Sequence, residues 1–83
     1  MTYYAVFFQD DGWTCSLFYD VSVYTQEQSE AEAIETTRAG LFNALKENAA
    51  PSPLSRAQVE ERARQEEKEG NLPKGWRVVD FEV

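Results

Sequence analysis

Asp10, Asp11, Asp20 and Asp80 all fall beside strand-like segments, the kind of position from which paired carboxylates hold a divalent cation in a metal-dependent nuclease. The same residues also have an architectural reading. Asp10, Asp11 and Asp20 stand where the chain must turn, and Asp favours turns because its carboxylate bonds nearby backbone N–H groups. Asp80 then reads as a solvated strand residue, and no spacing among the four marks a ligand set. The 83 residues include no histidine. That removes the commonest general base and metal ligand, and with it the Ser-His-Asp, Cys-His and zinc-hydrolase arrangements. The four glycines are scattered at 12, 40, 70 and 75, so no phosphate-cradling loop is present. Cys15 alone can form neither an internal disulfide nor a thiolate metal site, and its place in an alternating pattern reads as a buried thiol. The expectation is a protein that binds rather than catalyses, with no metal and no cofactor.

For binding, large aromatics and unpaired charges are the residues to look for. Tyr24 and Trp76 are candidate anchors, since aromatics on the wetter face of a small sheet are typical of interface centres. Core packing accounts for them equally well, and the sequence does not separate the two. Tyr19, Asp10, Asp11 and Asp20 lie in the same strand-and-turn region, and Glu60 and Glu67 belong to a charged run over residues 60–69. These eight residues form the candidate partner-binding set. Within the run, acids alternate with Arg62, Arg64 and Lys68, which reads as a solvated helix face supported by pairs such as Glu60–Arg64.

The elements that position them are legible from pattern. Residues 3–9 and 13–19 are rich in aromatic and β-branched side chains and flank Asp10-Asp11-Gly12, a hairpin signal because Gly accepts the positive φ of a tight turn. Residues 21–25 read as a third strand, completing an antiparallel meander. In the second strand Trp13, Cys15, Leu17 and Tyr19 oppose Thr14, Ser16 and Phe18, which predicts one covered and one wetter face. The first strand is apolar on both sides, as suits a central strand or one whose second face meets another chain. Ser29 and Glu32 form a capping box that opens a helix, with Ile34, Leu41 and Leu45 as its stripe, Thr37, Ala44 and Phe42 beside it, and an end near Asn48 before Pro51 and Pro53. Ser55 and Gln58 form a second box, with Leu54 placed to staple onto Val59. Beyond Val59 only Ala63 is apolar before the stop at Gly70-Asn71, so this second helix is expected to be solvent-exposed or to await a partner. Residues 76–83 alternate as a last strand, which adds to the meander or to a second copy's sheet. The fold class read from this order is α+β, β-β-β-α-α-β, in one domain over residues 1–83.

Fifteen acids against eight bases give a net charge of −7, which disfavours direct contact with nucleic acid and points to basic protein partners. Acidity of this size also serves solubility alone. No basic segment leads into an apolar one, and no apolar run approaches the roughly 18 residues of a membrane span, so no membrane role and a cytoplasmic location are expected. The two-faced first strand and the terminal strand beside Trp76 predict a homodimer made through sheet edges or faces.

The stretch 3–45 resembles the HicB-like family, the antitoxin half of HicA–HicB toxin–antitoxin pairs. Members open with strand, turn and strand, pass a Pro-Asp-Leu-Pro-Gly-like corner, and enter a Thr-Gln-Gly-Asp-Thr-Leu-Glu-Glu-Ala-like segment that starts a helix. Thr25-Gln26-Glu27-Gln28-Ser29-Glu30-Ala31-Glu32-Ala33 corresponds to that segment, Pro51-Ser52-Pro53 to a Pro-rich link and residues 78–83 to the last strand. The sequence departs from the pattern at the corner, where Phe18-Tyr19-Asp20-Val21-Ser22 stands without Pro or Gly, and at Glu27, where the family has Gly. The resemblance implies a degenerate ribonuclease-H-like sheet without catalytic acids and a partner that is a small basic RNA-cleaving toxin. No residues remain for a separate DNA-binding segment, so a stand-alone inhibitor is expected. The alternative is a phage-encoded, anti-CRISPR-like inhibitor whose acidic surface occupies the nucleic-acid-binding site of a host defence protein.

Overall fold

In a computed structural model the chain is described over residues 1–47 and 52–83. The elements are β1 (Thr2–Asp10), β2 (Trp13–Leu17), β3 (Tyr24–Glu27), α1 (Glu30–Glu47), α2 (Arg56–Lys68) and β4 (Arg77–Glu82). They make a small α+β fold of one four-stranded antiparallel sheet, ordered β3-β2-β1-β4, and two helices.

The β1–β2 hairpin turns on Asp11 and Gly12, with φ of 51° and 85°, between the paired residues Asp10 and Trp13. Two successive positive φ values define the type I′ turn that matches strand twist. β4 returns from the far end of the chain to pair with β1, aligning Tyr3 with Phe81 and Ala5 with Val79. β1 is therefore central, as its apolar faces require. Its odd-numbered residues Tyr3, Ala5 and Phe7 join Phe18, Ala33, Leu41 and Phe81 in one buried cluster; its even-numbered Val6 and Phe8 join Cys15, Val59, Ala63 and Leu72 in a second.

The two clusters lie on opposite faces of the sheet, and each has its own helix. α1 begins where Ser29 Oγ accepts from the Glu32 amide at 3.2 Å, although the Glu32 carboxylate returns to the Ser29 hydroxyl rather than to its backbone. It buries Ala33, Thr37 and Leu41, spaced one turn apart, with Ile34 and Leu45 half-buried beside them. Phe42, expected to flank the stripe, points outward and is 51% exposed. Thr37 meets Ser16 and Thr25 in a buried hydroxyl triad at 2.6, 2.6 and 3.3 Å. Each hydroxyl can both donate and accept, so a ring of three donations satisfies the polar groups packed under the helix. The expected end of α1 near Asn48 and the Pro51 stop lie outside the described residues.

α2 has both arms of its capping box: Gln58 N–H donates to Ser55 Oγ at 3.1 Å, and Ser55 N–H donates to Gln58 Oε1 at 2.9 Å. Leu54 packs on the cluster that holds Val59. At the other end Gly70 adopts φ 81°, its N–H bonding Glu67 O and the Asn71 N–H bonding Glu66 O, the paired bonds of a Schellman stop.

The sheet has one covered and one wetter face, as predicted: Thr14, Ser16 and Phe18 are buried on the α1 side, whereas on the opposite side Cys15 is buried but Trp13 and Tyr24 are exposed. α2 is exposed over most of its length, as expected, and it docks on the sheet through a narrow stripe. Val59 and Ala63 are both fully buried, and small side chains suffice because they let the helix backbone lie close to the sheet. The third strand starts at Tyr24, not at residue 21. Residues 21–23 form a bend in which the Val23 N–H bonds Val21 O, and Val21 and Val23 pack on the α1 cluster as a loop. Similarly, β2 ends at Leu17, since Tyr19 and Asp20 are drawn toward α2.

The docking of α2 is directly testable. Val59→Ala removes two buried methyl groups and should lower unfolding free energy by about 2 kcal/mol. Urea denaturation measures this, and amide exchange over residues 56–68 should accelerate by the same factor. An undocked helix would show neither change.

Candidate functional site

The two helices cover different halves of the sheet. α1 lies closest to β2 and β3 on its face, whereas α2 lies closest to β1 and β4 on the other. The β2–β3 half of the α2 face is thus left without a helix above it. Strand register places there Trp13 beside Asp10, Cys15 beside Phe8 and Gln26, and Leu17 beside Val6 and Tyr24. Tyr24 is 58% exposed and Trp13 37% exposed, large values for aromatics whose neighbours are core residues.

Where this bare half meets the end of α2 it forms a slot of about 630 Å³. Phe8 and Leu17 line it from the sheet, Tyr24 stands at the β3 side, and Leu72 and Pro73 of the loop after α2 line the opposite side. Asp10, Glu67 and Lys74 supply its charges. Glu67 is oriented by Trp76, whose indole N–H donates to Glu67 Oε1 at 2.8 Å. The Tyr24 phenol is raised above its ordinary pKa, first by a hydrogen bond with Cys15, then by burial, and then by the nearby charges of Cys15 and Asp10.

The structure brings together four of the eight candidate residues, Asp10, Tyr24, Glu67 and Trp76. Trp76 itself is half-buried against the α2 cluster, so core packing is part of its role. Asp11 lies in the exposed hairpin turn. Tyr19 and Asp20, held toward α2, also border a separate groove lined by Val21, Val23 and the α1 residues Gly40 and Ala44. Asp20 is more than a turn former: its Oδ2 accepts from the Leu54 N–H at 2.9 Å, tethering the entry to α2. Arg62 stacks on the Tyr19 ring at 4.8 Å while bridging Glu66 at 3.2 Å. Glu60 pairs with Arg56 at 3.5 Å, and Arg64 pairs with Glu61 at 3.3 Å, in place of the expected Glu60–Arg64 pair. The reason is spacing with direction: Glu60 has a basic residue four positions on either side, and only one can hold its carboxylate in this geometry.

Asp10, Asp20 and Asp80 do not converge. Asp80 pairs with Tyr4 and Asp10 closes the other end of β1, six residues or about 20 Å away along the strand. Among the described residues no group of three or more acids or cysteines gathers as a metal site. Nor is any described helix long and apolar enough to cross a membrane. Leu17, Phe8, Trp13, Leu72, Pro73 and Lys74 were not singled out from sequence. The available signal was the thinness of the α2 stripe, since two small residues cannot roof a four-stranded face.

Tyr19 provides a test of the packing beside the site. Its hydroxyl is buried without a hydrogen-bond partner, and its pKa is raised, first by burial and then by Glu66, against the lowering effect of Arg62. A raised folded-state pKa favours the neutral phenol, so that contribution is complete below the unfolded value and is lost as pH climbs through the folded one. Tyr19→Phe should therefore leave neutral-pH stability unchanged or raise it by about 1 kcal/mol. It should also flatten the loss of stability in the alkaline range, both read by urea denaturation at matched pH values. Comparison with protein-family models, with curated proteins and with solved structures finds no match to this chain.

Proposed function

We propose that this chain is a non-catalytic protein-binding module that receives a basic partner on the bare half of its sheet, in the manner of a HicB-like antitoxin holding a small basic RNA-cleaving toxin. The observation that carries the reading is the exposed Tyr24 at a concave surface floored by Phe8 and Leu17 and edged by Asp10 and Glu67, with the exposed Trp13 further along the same sheet face. Aromatic centres inside a charged rim are what hot spots of protein interfaces look like. The net charge of −7 sets the sign of the partner and speeds its approach at low salt. The β-β-β-α-α-β order and the segment from Thr25 to Ala33 support the family part of the reading.

Self-association, in this reading, uses a sheet edge. The outer edge of β4 carries the exposed Asp80 and Glu82, which a two-fold axis would bring toward their own copies. β3 is the edge more open to a second chain.

Affinity capture of the tagged protein from its native host, washed at low and at high salt, tests the reading. The expected result is a small basic protein that leaves at high salt and is retained about tenfold less by Tyr24→Ala, as for a central hot-spot residue. Tyr24 is exposed, so the variant should fold normally. Capture of a large nucleic-acid-binding defence complex would replace the antitoxin reading with the inhibitor reading, and capture indifferent to Tyr24 would contradict the docking face.

A further inference from the structure

The geometry assigns the slot beside Tyr24 to an arginine side chain of the partner protein, an assignment that rests on the docking face proposed above. The fold contains its own template for the contact. Arg62 lies over the Tyr19 ring and bridges Glu66; Arg77 lies over the Phe7 ring, 5.4 Å from its centroid, and pairs with Glu30. In each, one guanidinium contacts a ring and a carboxylate together. At the slot the ring and the carboxylates are in place without the guanidinium. Among the described residues no arginine stacks on Tyr24, and the Asp10 side chain has neither a hydrogen bond nor an ion pair. Glu67 has only Oε1 engaged, by Trp76, which fixes the carboxylate and leaves Oε2 to accept.

The chemistry of the walls selects arginine. Phe8 and Leu17 offer an apolar surface for the three-methylene stem, and the exposed Tyr24 face suits a planar, weakly hydrated guanidinium. Two carboxylates stand against one ammonium, that of Lys74, so an incoming cation meets net negative charge. Lysine would keep the charge attraction but lose the planar stacking and the forked donors.

NMR titration of the 15N-labelled protein with N-acetyl-arginine amide, N-acetyl-lysine amide and N-acetyl-citrulline amide tests the assignment. Arginine amide should shift resonances at 8, 10, 17, 24, 67 and 70–74, with lysine amide weaker and the uncharged citrulline amide silent. Tyr24→Ala should weaken arginine binding about two- to fivefold and Asp10→Asn by a similar factor, while Lys74→Gln should strengthen it. Equal shifts with citrulline, shifts spread over the outer face of α2, or indifference to Tyr24→Ala and Asp10→Asn would each overturn the assignment. A silent titration beside partner capture that still depends on Tyr24 would overturn the slot and leave the docking face standing, so the two failures are separable.

Discussion

β1 carries bulky apolar side chains on both of its faces, and the rest of the molecule is arranged to keep them dry. Tyr3 and Phe7 on one side and Val6 on the other are fully buried, and Phe8 nearly so. A strand of this kind must be central, must have a neighbour on each edge, and must have a layer above and below. The chain meets the edge requirement by pairing β1 with β2 through a two-residue turn and with β4 from the opposite end of the sequence. It meets the layer requirement with two helices of unequal quality. α1 has an apolar stripe; α2 has Val59, Ala63 and, just past its end, Leu72.

That inequality has a functional side. An 18-residue helix covers its share of one face, while a 13-residue helix with two buried residues covers only the β1–β4 half of the other. The remaining half is left to Trp13, Leu17 and Tyr24, with Cys15 buried among them. Side chains this large, left exposed beside the core, cost solvation that a second protein can recover. The acids at the margin, Asp10 and Glu67, are held by the hairpin turn and by Trp76, so the charge lies on rigid elements rather than on a mobile tail.

What the sequence made legible were features with local physical causes. The Asp11-Gly12 turn, the two N-terminal caps, the Gly70 stop and the terminal strand each depend on residues within a few positions of one another. Residues 21–23 read as strand because Val21 and Val23 have β-branched side chains, yet they form a bend. Their apolar groups are satisfied instead by packing on α1, and Gly40 lets them approach, since a Cβ there would lie 3.0 Å from Val23 Cγ1. The tether from Asp20 to Leu54 joins residues 34 apart in sequence and has no local signature. The site was half legible. Tyr24 and Trp76 were singled out as aromatics, but only the diagonal placement of the helices tells the exposed one from the one that braces Glu67.

Both faces of β1 are covered, and α2 covers only half of its face. A NOESY spectrum of the free protein tests this most directly. The expected contacts run from the Val59 and Ala63 methyls to Val6 and Phe8, from Leu41 to Phe81, and from the Tyr24 ring to Leu17, with none from that ring to the first two turns of α2. An α2 whose methyl groups show no contact with the sheet, or one that reaches across to Trp13 and Tyr24, would contradict this arrangement.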